Sequence, residues 1–87
     1  MNFGQALEVI KNGGKVAREG WNGKGMFIFL REGRTIQTTE GHMVEGTGKD
    51  FFESRAHICM RDAEGKCVVG WLASQTDILS EDWVVVN

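Results

Sequence analysis

Long apolar runs are missing from this sequence. None approaches the ~18–20 residues that a membrane-spanning helix requires, and no signal-peptide pattern follows Met1. The chain is therefore expected in the cytosol, away from any membrane. Cysteine is scarce too: Cys59 and Cys67 are too few for a disulfide framework and lack C-x-x-C metal spacing. Basic residues are not in excess, since ten Lys+Arg against twelve Asp+Glu leave a net charge of −2. That balance argues against a binder of duplex nucleic acid, whose affinity rests on a basic footprint. No internal repeat is visible.

What remains is a globular composition, 41% hydrophobic and 25% charged. A chain of 87 residues makes one domain, residues 1–87. At this size only about 60–65% of the unfolded surface is buried, so the core is thin. Stability is expected on the order of 4–13 kcal/mol, and a subunit interface would add to it. Charge is uneven along the chain. Through Thr35 there are six basic and three acidic residues, Lys11, Lys15, Arg18, Lys24, Arg31 and Arg34 among them; beyond it four basic residues face nine acidic ones. Two readings of that bias stand: a solvated face, or attraction of a small anionic ligand.

The opening segment reads as a short amphipathic helix. Asn2 can cap it and Gln5 can reach back, while Phe3, Ala6, Leu7 and Ile10 fall on one face. Gly13 is placed to end it in a left-handed conformation. Lys15 to Arg18 is a short strand. Met26-Phe27-Ile28-Phe29-Leu30 is apolar at every position, which predicts a strand buried on both faces. Glu32-Gly33 predicts a tight return into Arg34-Thr35-Ile36-Gln37. Thr38 to Ala56 gives a poor signal apart from Phe51-Phe52 and reads as a long loop, functional or docked by its aromatics.

His57 to Arg61 and Lys66 to Gly70 form a hairpin around Asp62-Ala63-Glu64-Gly65. A type I turn with a glycine bulge sets Asp62 against Lys66 and Cys59 against Val69. The two cysteines then become diagonal neighbours roughly 7–8 Å apart, too far for a relaxed bridge. Ser74-x-x-Asp77 is a capping box that opens a second short helix carrying Ile78 and Leu79. Trp83 to Val86 is a final β-branched strand. The fold class is α+β: a small, mainly antiparallel sheet with an N-terminal helix and a short C-terminal helix.

Catalytic patterns are weak. Ser54, Ser74 and Ser80 lack a G-x-S-x-G setting, and neither cysteine has a histidine in a recognisable arrangement. His42 and His57 fit no metal-ligand spacing with Asp50 or Glu53. Asp77 and Asp82 are better explained by capping and by the approach to the last strand than by acid–base work. Trp21-Asn22-Gly23-Lys24-Gly25 is more informative. It offers backbone N–H groups, an amide, a cation and an aromatic face, which suits a phosphate beside a base, although composition alone favours a plain strand–turn–strand connection. Trp83 is expected in the core. Trp21 and Trp71 lie beside glycine, where large aromatics stay more exposed; such residues recur where purines are stacked and at subunit interfaces.

Three blocks make the chain resemble a known family. Asn2 to Leu7 (N-F-G-Q-A-L), Val16 to Met26 (V-A-R-E-G-W-N-G-K-G-M) and Trp71 to Trp83 (W-L-A-S-Q-T-D-I-L-S-E-D-W) are similar, in the same order, to the second Thoeris anti-defence family of small phage and prophage proteins. His57-Ile58-x-Met60 and Gly65-Lys66 are also in register. The resemblance implies a sponge and not an enzyme. The expected protein is a homotetramer that sequesters a cyclic ADP-ribose-type nucleotide signal made by a TIR-domain protein, with no cofactor. Some members also hold cyclic oligonucleotide signals at a separate site. Two positions depart from the family pattern: Gly70 stands where proline is usual before the tryptophan, and Cys59 where aspartate is common. The Thr38–Ala56 stretch varies within the family and is a candidate for setting which signal fits.

The expected ligand-binding residues are Arg18, Trp21, Asn22, Gly23, Lys24, Gly25, Trp71, Ser74 and Asp77. Trp21 stacks on a base and Asn22 reads a base edge or ribose. The Gly23–Gly25 amides, with Lys24 or Arg18, meet a phosphate. Trp71, Ser74 and Asp77 bring a second wall. The rival readings are a protein–protein inhibitor of a host enzyme, with Trp21 and Trp71 as anchors, and a small hydrolase that destroys the signal.

Overall fold

A computed structural model describes residues 1–87. Helix α1 spans Phe3–Lys11 and begins where the sequence supplies reciprocal caps. The Asn2 side chain accepts from the Gln5 N–H at 2.9 Å, and the Gln5 side chain accepts from the Asn2 N–H at 2.9 Å. It ends with Gly13 at φ 91, where the Gly14 N–H donates to Val9 O and the Gly13 N–H to Ile10 O. That pattern satisfies carbonyls the helix would otherwise leave open.

Seven strands follow: β1 (Lys15–Arg18), β2 (Phe27–Arg31), β3 (Arg34–Gln37), β4 (Phe51–Ser54), β5 (His57–Arg61), β6 (Cys67–Val68) and β7 (Trp83–Val86). Two further helices are α2 (Gly41–Val44), between β3 and β4, and α3 (Gln75–Leu79), before β7. Five strands form one antiparallel sheet in the order β6-β5-β2-β1-β7. Helix α1 packs across β1, β2 and β7. Its Ala6 and Ile10 meet Val16, Ile28 and Trp83 in the buried core, with Leu30, Ile58 and Met60 packed around it. The fold is α+β.

Several sequence expectations give way here. Strand β2 is not buried on both faces: Ile28 is buried, whereas Phe27 and Phe29 on the opposite side are only half-buried. The reason is a missing layer, since α1 covers one face of the sheet and no helix packs on the other. Lys15 and Arg61 lie over the Phe27 ring there, at 5.1 and 5.7 Å from its centroid. Glu32-Gly33 is not a tight return. Strand β3 pairs with β4 and not with β2, whose partner is β5. Phe27 faces Arg61, Arg31 faces His57, Arg34 faces Ser54 and Gln37 faces Phe51, so one register runs through both ribbons without a slip. Gly33 serves close approach: a Cβ there would lie 2.9 Å from Ser54 O. The stretch from Thr38 to Ala56 is no structureless loop but holds α2 and β4, and the expected single sheet with two helices becomes a five-stranded sheet, a two-stranded arm and three helices.

At the other end of β5 the hairpin register follows the turn chemistry. The Asp62 N–H donates to Lys66 O at 2.7 Å and the Gly65 N–H to Asp62 O at 3.0 Å, with Gly65 at φ 82. Met60 then faces Val68 and Arg61 faces Cys67, which sets Cys59 and Cys67 on a diagonal. Both thiols are free.

Candidate functional site

Strands β1 and β7 pair so that Arg18 faces Trp83, and this pairing gathers three tryptophans at one corner. Trp83 is buried, and its indole N–H donates to Asp77 O at 2.9 Å. Trp21 leaves β1 with its backbone N–H on Arg18 O, and Trp71 leaves the β5–β6 hairpin with its N–H on Ile58 O. The rings meet edge to face: 5.3 Å between Trp21 and Trp83, 6.2 Å between Trp21 and Trp71, 6.4 Å between Trp71 and Trp83. Edge-to-face packing is the favoured arrangement of aromatic quadrupoles. Trp21 and Trp71 remain half-buried.

Asp77 ties the corner together. The Ser74–Asp77 capping box opens α3, with the Asp77 N–H on Ser74 Oγ and the Ser74 N–H on Asp77 Oδ2, each at 3.1 Å. Asp77 Oδ1 accepts from Arg18 Nη1 at 2.8 Å and from the Trp21 indole N–H at 3.3 Å. Arg18 Nε donates to Asp82 Oδ1 at 2.9 Å, and Asp82 Oδ2 accepts the Gly20 N–H at 2.8 Å. Burial works to raise the Asp77 pKa, but hydrogen bonds from Arg18, Ser74 and Trp21 outweigh it and hold the carboxyl below its ordinary value. Asp82 is held low chiefly by Arg18, against a burial effect, with help from the Gly20 N–H. Arg18 is raised by Asp82 and then Asp77. One cation thus answers two carboxylates, and the cluster keeps one net negative charge.

The structure therefore brings Arg18, Trp21, Trp71, Ser74 and Asp77 together, but turns Arg18 inward onto carboxylates. Asn22, Gly23, Lys24 and Gly25 form the adjoining loop. Gly25 takes φ 78. A Cβ on Gly23 would collide with Met26 Sδ and Ala63 Cβ, so this loop lies against the β5–β6 turn. Asn22 and Lys24 are exposed, and their side chains hold no hydrogen bond or ion pair within the chain. Around the corner the rim is apolar, with Leu72, Ile78 and Leu79 exposed at 92%, 48% and 77%. The corner is an open shelf. A surface concavity lies elsewhere, at Gly41, His42, Val44 and Glu45 of the arm.

Sequence reasoning missed Asp82 as a member of this cluster and Trp83 as its floor. Only the β1–β7 pairing places them opposite Arg18, and no local pattern encodes that pairing. Gly70 carries a finding of its own. It adopts φ 92, whereas proline is fixed near −65°, so the backbone entering Trp71 takes a path closed to proline.

Fold and site together define a small α+β domain with a charge-buttressed aromatic shelf at one sheet end. The chain belongs to the Thoeris anti-defense 2-like family, whose domain it matches over residues 1–86. It is 42% identical over 89 residues to Thoeris anti-defense 2 of Bacillus phage SP01, covering 100% of this chain and 96% of that relative. Membership places it among phage proteins directed against Thoeris defence. No helix is long and apolar enough to cross a membrane.

Proposed function

We propose that this protein blocks Thoeris defence by binding a cyclic ADP-ribose-type nucleotide signal and holding it uncleaved, as a homotetramer in the cytosol of the infected bacterium. One observation carries the reading: an ordered aromatic shelf adjoins a glycine-rich loop whose polar side chains have no partner in the chain. Trp21, fixed by its N–H on Asp77, offers a face to a base. Asn22 reads a base edge or ribose. Lys24 and the Gly23–Gly25 amides meet phosphate. Arg18, already engaged by Asp77 and Asp82, buttresses the shelf, and Trp71 with the Ser74–Asp77 cap forms the second wall.

The exposed Leu72 and Leu79 beside Trp71 and Asp77 favour a second reading, an inhibitor that docks on a host protein. One assay separates the two. Purified protein is added to an infected-cell lysate that contains the signal, then removed by filtration, and the filtrate is tested for activation of the Thoeris effector. Depletion of the signal, with its return intact when the retained protein is heated, supports sequestration. An undepleted filtrate sinks it in favour of the docking inhibitor, and depletion without heat release sinks it in favour of a hydrolase.

A further inference from the structure

The five strands of the main sheet contain no aspartate or glutamate. Their cations are Lys15, Arg18, Arg31 and Arg61. Arg18 is committed to Asp77 and Asp82 on the α1 side, whereas Lys15, Arg31 and Arg61 form no ion pair. Alternation along each strand puts those three on the opposite face, out of step with the buried Val16 and Ile28. The acids of the adjoining β5–β6 turn are engaged: Asp62 accepts the Glu64 and Lys66 N–H groups, and Glu64 pairs with Lys66. Lys15 Nζ reaches only the Asn87 carbonyl, at 3.4 Å. On a chain of net charge −2 this is a local separation of charge, and it draws anions to one face.

Two aromatic rings lie between the cations. Phe27 and Phe29 share this face on β2, the central strand of the five. Their centroids are 5.9 Å apart, the rings are tilted at 54°, and both remain half-buried because no helix covers them. Lys15 and Arg61 hang over Phe27 on long flexible stems, and Arg31 follows two residues after Phe29. Residues two apart on a strand are spaced by about 6.6 Å. The face therefore presents cation, ring, ring and cation in a row along one strand. A polyanion that carries a flat apolar group between successive charges matches that order.

We infer that this face binds single-stranded nucleic acid, with bases stacked on Phe27 and Phe29 and phosphates on Lys15, Arg31 and Arg61. As a base takes the Phe27 ring, the ends of Lys15 and Arg61 move from the ring to phosphate. Stacking tolerates any sequence, since every base has a π-face. A duplex fits poorly: its bases are already stacked on one another, and three cations are a small footprint for it. An acidic peptide would use the cations but leave both rings without a role, and extended peptides join sheets at their edges and not on their faces. The face is separate from the tryptophan shelf, which is built on Trp83 at the α1 side of the sheet. The inference thus goes beyond the proposed function and does not depend on it.

Fluorescence anisotropy tests it, with the full chain titrated into a dye-labelled oligothymidylate of about twelve nucleotides, within the usual range of single-strand site sizes. Three phosphate contacts should give a slope of log affinity on log salt of about −2. The matching thymidylate–adenylate duplex should bind roughly fivefold or more weakly, as should the single strand to Phe27→Leu, for want of stacking. The double variant Arg31→Gln, Arg61→Gln should bring the slope to about −0.7, the value for one remaining contact. Absence of binding overturns the inference, and so does a duplex that binds as well as the single strand. A polyglutamate that displaces the probe as well as unlabelled oligothymidylate makes the face a site for acidic proteins and overturns it too. A folded Phe27→Leu that binds like the parent also overturns it. Where Phe27→Leu does not fold, the arginine variant decides, and an unchanged salt slope overturns the inference. A greater loss in Asn22→Ala than in the face variants would put the strand on the tryptophan shelf and overturn this site while leaving the shelf standing.

Discussion

At the tryptophan corner, segments far apart in the chain hold one another; in the arm, two strands hold only each other. The corner joins β1, the β5–β6 exit, α3 and β7 through ring edges and a carboxylate that accepts from Arg18, Trp21 and Ser74. The arm has one ladder and one side-chain hydrogen bond across it. Regions with few buried contacts open locally at low cost, while a shared core opens only with the whole domain. The contrast says that in the isolated chain the candidate binding shelf is the stable end and the arm the compliant one.

The largest expected effect tests that contrast directly. Trp83→Ala removes a side chain that is 1% exposed and touches Phe3, Trp21 and Trp71. It should cost about 3–5 kcal/mol of unfolding free energy, much of what so small a domain has. Ile36→Ala in the arm should cost far less in the monomer. Denaturant titration of both variants, with equal losses, would break the comparison.

Binding at the shelf comes next. Trp21→Ala should weaken nucleotide binding by about 1–3 kcal/mol, roughly 5- to 150-fold in Kd. It should also lower the melting temperature, because Trp21 packs on Trp83 and bonds Asp77. Asn22→Ala is the cleaner probe. Its side chain has no partner in the chain, so a loss of about 1–2 kcal/mol in calorimetric titration should come with an unchanged melt. If Asn22→Ala and a folded Trp21→Phe both bind like the parent, the site lies elsewhere.

How much of this was legible follows from the range of each signal. Caps at Asn2 and Ser74, the stop at Gly13 and the Asp62–Gly65 turn are chemistry within a few residues, and sequence shows them directly. The β5–β6 register followed from turn type alone. The β2–β5 pairing did not, since Glu32-Gly33 has turn composition and only the distant partner reveals Gly33 as a point of close approach. Strand β4 was hidden by Glu53 and Ser54, which carry little strand preference. At the site, Trp21, Trp71, Ser74 and Asp77 were visible as residue types beside turns and caps. The inward commitment of Arg18 to Asp77 and Asp82 was not, because strand pairing across most of the chain creates it.

Acid should loosen the corner before anything else. Asp77 and Asp82 sit below their ordinary pKa in the folded chain. The unfolded chain therefore binds protons more readily, and the folded state loses this support as pH falls. Their contribution is complete above the unfolded carboxylate range, about pH 4, and declines as pH drops through the depressed folded values. Melting temperature should be flat from neutrality to mild acid and then fall. In Asp77→Asn the neutral-pH melt is lower and the acid decline shallower. An unchanged acid profile in that variant would mean that the corner is held by its rings alone.

The smallest effect asks how far the rigidity of the corner extends along the sheet. Cys59 lies in β5 opposite Phe29 and is 2% exposed, whereas Cys67 lies in the edge strand β6 and is exposed. A thiolate must reach its reagent to react, so native protein should label quickly at one thiol, Cys67, and at the second only when β5 opens. Labelling Cys67 with a small reagent should leave the melting temperature unchanged, because its side chain supports no core contact. The Cys59 rate should then follow global unfolding and slow further in conditions that stabilise the fold. If Cys59 instead labels as fast as Cys67, β5 opens without the corner, and the sheet is compliant along its uncovered face as well as in the arm. If neither thiol labels until unfolding, the β6 edge is covered in solution.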